Sequence, residues 1–422
     1  MKDFKASFFA LSRSVDMEIT STDDIDSAIR EFIIIFANEI DPENLKVNIN
    51  ALQQNTSGFR NKIDLFVQKY KIKLPKIQRL NTYFKDLKDN EYFFFYPNCT
   101  VSKEDSFKLY TYLSALENNE DFSKLTKELD EQFGMLMNNY EIFTFNQHTR
   151  NKIGESDRLK RICRFCGKTS KETTFKKVAH SISEALGNKV IITNNECDQC
   201  NEKFGKGIEN DLIIYSSLYR NVFGIKGKNG IPKLKGKNFE IENQGTIKIK
   251  QFLTDEELNN PLRDDFKFTL ETTQKITSQN IYRALSKYAL SVINDSYLSN
   301  FNETIKWING CFDITTLPKV AMLTSYGLYS NHPQIMVYLR KTENQNLPYA
   351  VAEFRFTLLT FVYIIPKASC DKVDFTNESN YDYFWNFFKH YKSDKNWNFV
   401  KMDDVVSRIF VMNLNFEEKN KL

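Results

Sequence analysis

The sequence of 422 residues has no long hydrophobic run and no recognisable leader. No segment approaches the roughly 20 consecutive apolar residues that a membrane-spanning helix needs. The N-terminal stretch MKDFKASFFALSRSVDME has too short an apolar segment, and too many interruptions, for a secretory signal. Internal repeats and low-complexity segments are not evident either. These absences predict a cytoplasmic protein with no membrane partner.

The chain also lacks a strong charge of one sign, and it has only 4 histidines. A formal net charge of +4 excludes a polycationic protein, so any basic surface must be local. Hydrophobic residues make up 41% of the chain and aromatic residues 14%, which excludes a disordered protein. At this length we expect two or three domains with packed cores.

Of the 7 cysteines, four form two Cys-x-x-Cys pairs. Cys163 and Cys166 lie in ICRFCGK, and Cys197 and Cys200 lie in NECDQCNEKFG. Two such pairs, each on a short knuckle, can close a tetrahedral zinc site that has no open position. The sequence therefore predicts one structural Zn²⁺ held by four thiolates, in a reducing cytosol. A plain zinc ribbon without catalysis is the main alternative.

Two residues between or beside these pairs are not explained by a zinc ribbon. His180 lies between the pairs, and Asn201 directly follows the second pair. The segments around His180 and KVIITN read as short strands, followed by a helix that Gly205 and Gly207 interrupt or end. Zinc would then bring His180 opposite Asn201. A neutral imidazole can take a proton from attacking water, while Mg²⁺ or Mn²⁺ near the Asn201 side-chain oxygen stabilises the developing charge.

Basic residues gather on both sides of this segment. Residues 158–177 contain eight Lys or Arg against one acid, and residues 220–237 contain six against none. For either cluster alone a solvated loop is the simpler interpretation, but two clusters around one candidate site predict contacts with DNA phosphates. The predicted contacts are Arg161, Arg164, Lys168, Lys176, Lys177, Lys226, Lys228, Lys233 and Lys235.

The periodicity of the whole chain predicts an α+β protein in three parts. Residues 1–150 are predicted to form a mostly helical domain for sensing, assembly or partner binding. Residues 155–240 form the zinc-bearing module, and residues 241–422 an α+β domain. The predicted helices are 25–36, 59–70, 103–117, 122–136 and 278–293, and the predicted strand segments are 91–97, 334–341, 349–366 and 405–414.

The central pattern resembles the HNH branch of the ββα-metal nucleases, also called His-Me finger nucleases. The matching elements are CxxCG at 163–167, Ala-His at 179–180, Leu-Gly-Asn at 186–188, Asn194 or Asn195, and CxxCNxxFG at 197–205. The resemblance implies that His180 is the general base and that Asn201 takes the metal-binding position. It also implies that Asn195, or else Asn194, is the middle residue that orients the loop bearing the base.

One position departs from the family pattern. Many HNH nucleases carry Asp or Glu directly before the catalytic histidine as a metal ligand, whereas this chain has Ala179. Either Asn201 holds the ion together with water and phosphate, or a nearby acid substitutes. Glu209 is the first candidate, because it follows on the predicted helix, and Asp198 and Glu196 are the others. A degenerate module that does not cut is a further alternative.

The resemblance implies a metal-dependent endonuclease that hydrolyses phosphodiester bonds in DNA. HNH proteins of this kind occur as effectors of bacterial antiviral defence, so we expect that role in a bacterial cytoplasm. The flanking regions exceed what a small nuclease module needs, and we expect them to self-associate or to bind a regulatory subunit, for example a short Argonaute. The alternative from another class is a zinc-stabilised DNA-binding or scaffolding subunit without catalysis.

Overall fold

The computed structural model describes residues 2–21, 25–41, 46–98, 103–145, 150–252, 254, 266–391 and 395–416. Helices and strands alternate along these residues, which confirms a mixed α and β protein. The chain divides into two compact units, Met1–Gly134 and Met135–Leu422. Among the helices described, none has the length and apolar character to cross a membrane.

The first unit contains both strands and helices. Its strands are β1 (Lys2–Ala10), β2 (Ser14–Ser21), β3 (Ala37–Asp41), β4 (Lys46–Ile49), β5 (Leu52–Gln54) and β6 (Tyr92–Pro97). Its helices are α1 (Asp26–Ile35), α2 (Ser57–Tyr70), α3 (Gln78–Asp86), α4 (Lys103–Asn118) and α5 (Phe122–Leu129), followed by a π-helical turn at Asp130–Gly134.

An antiparallel sheet in the order β2-β1-β6-β5 lies between helices in this unit. Because successive side chains of a strand point to opposite faces, β1 can contribute to two cores. Phe8 packs on one face with Phe32 of α1, and its ring stacks on Phe95 of β6. Phe9 packs on the other face with Leu113 of α4. Aromatic residues thus fill both sides of the sheet.

The prediction of a mostly helical first domain is wrong in omitting this sheet. The structure confirms the predicted helices and the strand at 91–97, but it adds β1 to β5. The available signal was in β2, where Val15, Met17 and Ile19 alternate with polar residues. In β1 the adjacent residues Phe8 and Phe9 are both buried, so that strand has no simple alternation.

The second unit begins with α6 (Met135–Asn139) and runs to the C-terminus. Its other helices are α7 (Asp198–Lys206), α8 (Ile208–Tyr215), α9 (Ser217–Val222), α10 (Ser278–Val292), α11 (Asn302–Ile308) and α12 (Glu378–Trp385). Its strands are β7 (Tyr140–Phe145), β8 (Asn151–Ile153), β9 (Ile191–Thr193), β10 (Leu234–Lys235), β11 (Phe239–Asn243), β12 (Ile247–Gln251), β13 (Phe266–Ile276), β14 (Val320–Thr324), β15 (Ser330–Arg340), β16 (Ala350–Thr357), β17 (Leu359–Ile364), β18 (Asn398–Val400) and β19 (Arg408–Phe416).

Helix α10 lies against an antiparallel sheet with the order β18-β14-β17-β16-β15-β7. Two buried hydrogen bonds join this helix to the sheet. The hydroxyl of Tyr282 in α10 donates to the carbonyl of Ile364 at 2.7 Å, and the hydroxyl of Tyr363 in β17 donates to the carbonyl of Leu285 at 2.6 Å. The predicted helix at 278–293 and the predicted C-terminal strands are confirmed.

A single apolar core joins the cysteine segment to this sheet. The core runs from Cys163 and Phe204 through α10 to β16 and β17. The three-part division predicted from the sequence separates residues 155–240 from 241–422, whereas these residues share one core within one compact unit. Helix α10 therefore belongs physically to the surroundings of the candidate site.

Candidate active site

The four cysteines of the two Cys-x-x-Cys pairs converge on one point. The sulfurs of Cys163, Cys166, Cys197 and Cys200 all lie within 4.8 Å of one another. A tetrahedral ion with bonds of about 2.3 Å keeps its sulfur ligands about 3.8 Å apart, and the sulfurs of Cys166 and Cys197 are 3.8 Å apart. The backbone N–H of Cys197 donates to the sulfur of Cys163 at 3.5 Å, which favours a thiolate. This ligand set fits a closed, structural zinc site.

The knuckle that carries Cys163 and Cys166 requires a residue in the left-handed backbone conformation. Gly167 has φ of +72° directly after Cys166, a backbone conformation that glycine adopts without strain. Its N–H donates to the carbonyl of Cys163 at 2.8 Å, and the N–H of Cys163 donates to the carbonyl of Lys168 at 2.9 Å. The Phe165 ring packs edge-on against Phe204 of α7, with ring centroids 5.0 Å apart. The knuckle is thus attached to the helix that carries Asn201.

His180 lies on an extended segment that pairs with β9. The bridge joins His180 to Ile192, with hydrogen bonds from Thr193 N to Ala179 O at 2.9 Å and from Ser181 N to Ile191 O at 3.0 Å. On its other edge, β9 pairs in parallel with β8. Strand β9 confirms the strand predicted in KVIITN, whereas the segment around His180 forms an isolated bridge to β9 and not a strand. The two hydrogen bonds fix the backbone directly before and after His180.

The His180 side chain is largely buried and has one open nitrogen. Its side chain is 19% exposed, and Nε2 lies 3.9 Å from Oε2 of Glu184. Nδ1 is buried and has no hydrogen-bond partner among the described residues. Burial lowers the pKa of His180, Glu184 and Glu209 oppose that shift, and Lys287 and Arg150 add to it. The neutral imidazole that a general base requires is therefore favoured.

Asn188 orients the loop that follows His180. Its buried side chain donates to the carbonyls of Ile182 at 2.8 Å and Ile191 at 2.9 Å, and accepts from the N–H of Ile191 at 3.0 Å. The side chain of Asn195 has other partners: its amide oxygen accepts from the N–H of Glu155 at 2.9 Å, and its amide nitrogen donates to the carboxylate of Asp295 at 2.7 Å. Asn188, and not Asn195, thus contacts the loop that follows His180, and the Leu-Gly-Asn motif was its signal.

Asn201 lies in α7 directly after Cys200 and is half-buried. Its backbone N–H donates to the carbonyl of Cys197 at 2.9 Å. Its side chain makes no hydrogen bond within the described part of the chain, so its amide oxygen is available as a ligand. The predicted helix break is at Gly207, where α7 ends and α8 begins, whereas Gly205 lies within α7.

The acids proposed to replace the one missing at Ala179 already have partners. Lys287 of α10 is fully buried, and its Nζ lies 2.9 Å from Glu209 Oε1 and 3.0 Å from Glu196 Oε2. Burial raises the pKa of Glu196 to about 7, and the two carboxylates outweigh burial in raising the pKa of Lys287. Asp198 accepts from the N–H groups of Lys176 and Lys177. The structure places Glu209 against Lys287 rather than in an open metal site.

Residues 163–214 match the family model described as HNH endonuclease. The resemblance seen in the sequence is confirmed. No curated protein and no solved structure matched the chain. The match begins at Cys163 and ends within α8, so it includes the four cysteines, His180 and Asn201, and it excludes α10 and Lys287. Below, these residues are called the HNH segment.

Arg164 of the HNH segment was predicted to contact DNA, and the structure contradicts this prediction. Its side chain is 1% exposed, with Nη1 donating to Leu290 O at 2.6 Å and Nη2 to Asp295 at 2.8 Å. The carbonyl lies in the last turn of α10, where a cation is favoured by the helix dipole. Arg164 therefore attaches the HNH segment to α10 and cannot reach a phosphate.

The other predicted DNA contacts differ in how free their charges are. Arg161 is half-buried and donates to the carbonyls of Glu155 and Ser156. Lys177 pairs with Glu202 at 3.4 Å, and Lys233 and Lys235 both lie near Glu240, at 2.6 and 3.7 Å. Of the predicted contacts, Lys168, Lys176, Lys226 and Lys228 are exposed and make no ion pair within the described residues.

Sequence reasoning missed Arg150, Glu184 and Lys287. Arg150 is exposed, directly precedes β8 and is close enough to influence the pKa of His180. Glu184 follows His180 by four residues, a spacing visible in the sequence. Lys287 had no local signal, because its partners come from residues more than 70 positions earlier.

Proposed function

We propose that this protein is a metal-dependent endonuclease that hydrolyses phosphodiester bonds in DNA, with a structural Zn²⁺ on the four cysteines. One observation carries the proposal. His180, with its pKa lowered, has its backbone fixed by β9 inside a segment that matches the HNH endonuclease family. A neutral, largely buried imidazole beside the partly exposed carboxylate of Glu184 is suited to accept a proton from water.

In this proposal His180 Nε2 accepts the proton of the attacking water. The water oxygen bonds to phosphorus as the bond from phosphorus to the 3′ oxygen breaks. Asn188 keeps the loop after His180 in place, and the cysteine cluster fixes α7 so that Asn201 can present its amide oxygen. When bound, Mg²⁺ or Mn²⁺ supplies positive charge beside the phosphate and the leaving oxygen.

The test is cleavage of plasmid DNA by purified protein with Mg²⁺ or Mn²⁺, alone and with the products of its neighbouring genes. His180→Ala should reduce the rate by about 10²–10⁴-fold, the usual effect of losing a general base, while zinc content and folding stay unchanged. His332→Ala is the matched control, because His332 is an exposed histidine on β15 of the same unit. Full activity of His180→Ala, or no cleavage by wild type under any of these conditions, contradicts the proposal.

A second candidate is a zinc-stabilised DNA-binding or scaffolding subunit without catalysis. The observation in its favour is Ala179, where many HNH nucleases carry an acid. This candidate predicts that wild type and His180→Ala retard DNA equally in a gel and that neither cleaves it.

We further propose that the protein is the effector of a bacterial anti-phage system and that a partner or signal controls it. This role is motivated by the occurrence of HNH proteins as effectors of bacterial antiviral defence and by the length of chain on both sides of residues 163–214. Co-expression with genomic neighbours during phage challenge tests it: protection should require His180 and should be kept by His332→Ala.

A further inference from the structure

We propose that Glu184 is the carboxylate ligand of the catalytic divalent ion, in place of the acid that Ala179 does not supply. This inference rests on the proposed nuclease function and names a catalytic residue for the same site. It follows from the lack of a ligand atom at Ala179, from the engagement of the other acids, and from the place of Glu184 beside His180.

Position 179 supplies no metal ligand in this chain. Ala179 is 3% exposed, and its methyl side chain has no atom that binds an ion. A carboxylate ligand therefore has to come from another position.

The other acids near the HNH segment are engaged elsewhere. Glu196 and Glu209 are buried and share the ammonium group of Lys287. Asp198 closes a turn by accepting two backbone N–H groups and the hydroxyl of Thr174. Binding a metal ion would cost each of them these contacts.

Glu184 lies on a short, well-anchored turn four residues after His180. The turn is a 3-10 helix at Glu184–Leu186, opened by Ser183, whose hydroxyl accepts from Ala185 N at 3.3 Å. It ends at Gly187, whose N–H donates to the carbonyl of Glu184 at 2.9 Å. Leu186 is fully buried below it. This anchoring holds the backbone of Glu184 still, while its carboxylate remains 36% exposed and makes no hydrogen bond among the described residues.

The distance between Glu184 and His180 leaves room for the reacting water. Oε2 of Glu184 lies 3.9 Å from Nε2 of His180, too far for a direct hydrogen bond but suitable for a water that contacts both atoms. Nδ1 is buried, so Nε2 is the nitrogen that meets solvent. Glu184 is therefore on the reactive side of the base, where a carboxylate oxygen suits Mg²⁺ or Mn²⁺.

The first measurement is Mn²⁺ binding to the full-length, zinc-loaded protein, followed by loss of the electron paramagnetic resonance signal of free Mn²⁺. Glu184→Gln should weaken Mn²⁺ binding by on the order of 10- to 100-fold or more, since altering even an indirect partner of a metal has effects of that size. Glu303→Gln is the matched control, because Glu303 is an exposed acid of α11 that, among the described residues, forms its ion pair with Lys306 of the same helix. Glu209→Gln tests the rival ligand. Unchanged binding by Glu184→Gln, or no binding by wild type, overturns the proposal.

The second measurement is the Mg²⁺ dependence of plasmid cleavage, together with its pH profile. A lost ligand raises the Mg²⁺ concentration at half-maximal rate, again by about 10-fold or more. If Glu184 acted only through the charge of His180, Glu184→Gln would shift the acid limb of the profile and leave the Mg²⁺ requirement unchanged, which would overturn the ligand assignment. Wild type that binds Mn²⁺ through Glu184 but never cleaves DNA refutes the nuclease proposal and keeps the metal site.

Discussion

Two long basic side chains of the second unit, Lys287 and Arg164, point into its core. Lys287 meets two carboxylates, and Arg164 meets backbone carbonyls and Asp295. Burying a cation costs several kcal/mol unless protein partners replace the water around it. The contacts of Lys287 and Arg164 are therefore needed to offset the cost of burying the two side chains. Both residues link the HNH segment to α10, and their roles are structural.

Lys287→Met should be far more damaging than Glu196→Gln. Removing Lys287 leaves two buried carboxylates without a counter-charge, for which we expect a loss of about 3–5 kcal/mol in the free energy of unfolding. Glu196→Gln should cost less, because burial already raises the pKa of Glu196 to about 7. Urea unfolding at pH 7 measures both, and similar small losses for the two variants would contradict this account.

The same carboxyl predicts a pH dependence of stability. The pKa of Glu196 is about 7 in the folded chain, against an ordinary value of 4.5, so between these values the folded state holds the extra proton. The contribution of this proton to the free energy of unfolding is fully present below about pH 4.5 and is lost as the pH rises through about 7. Glu196→Gln should flatten that part of the stability curve.

If His180 is the general base of the proposed nuclease, its pKa predicts where activity is lost on the acid side. Because its pKa is lowered, the base should stay neutral below the ordinary value of 6.5. At saturating Mg²⁺, the acid limb of kcat/KM should therefore fall below pH 6.5. A limb at or above that pH would mean that another group is the titrating base.

At the scale of elements, the cysteine knuckles and α10 hold the candidate site from two sides. The knuckles fix α7 relative to the strand of His180, and α10 is buried at 13 of its 15 residues. Asp211 of α8 accepts from Thr277 N, at the N-terminal end of α10, at 3.0 Å. In the second half of α10, Lys287 pairs with acids of the HNH segment. Near the C-terminal end of α10, Arg164 of the HNH segment donates to the carbonyl of Leu290. The HNH segment thus contacts this helix from its first turn to its last.

Replacing a cysteine of the cluster should release the metal and unfold the HNH segment. Cys200→Ala should leave the protein without zinc, because structural zinc contributes its binding free energy to folding. Cys311→Ala is the control, since Cys311 is an exposed thiol outside the cluster. Metal analysis and proteolysis read out both variants, and a zinc-free wild type that is fully folded would rule the site out.

The two lysine pairs near β10 should differ in their contribution to DNA binding. Lys226 and Lys228 are exposed and make no ion pair with the described residues, whereas Lys233 and Lys235 share Glu240. Neutralising the first pair should reduce the slope of log affinity against log salt by about 0.9 per lost phosphate contact, and neutralising the second pair should reduce it less. Equal slopes for wild type and Lys226→Gln/Lys228→Gln would show that this loop does not touch DNA.

At the scale of the whole molecule, the division into two compact units predicts separable folding. Each unit has its own apolar core, and the core of the second reaches from the cysteines to the C-terminal sheet. Residues 135–422 should therefore fold, bind zinc and unfold cooperatively without residues 1–134. Calorimetry and metal analysis of this fragment check the prediction, and an insoluble or zinc-free fragment would contradict it. A fragment cut at residue 240 should fail, because it lacks α10.

Local sequence determined the cysteine cluster, His180 and most regular elements of this protein. A Cys-x-x-Cys knuckle and the periodicity of α10 are short-range patterns, so their spacing alone predicts them. In the sheet of the first unit, β1 gave no strand signal because it is buried on both faces, which removes the alternation that marks a strand, whereas β2 kept that alternation.

Only the tertiary structure decided which polar side chains are free to act. Arg164 and Glu209 look like surface residues in the sequence, but α10, which begins at Ser278, buries both. Asn188, rather than Asn195, meets the loop of His180 because of how that loop closes on β9. The sequence by itself established which chemical groups are present. Their burial, pairing and exposure depend on contacts between distant segments, which no local spacing encodes.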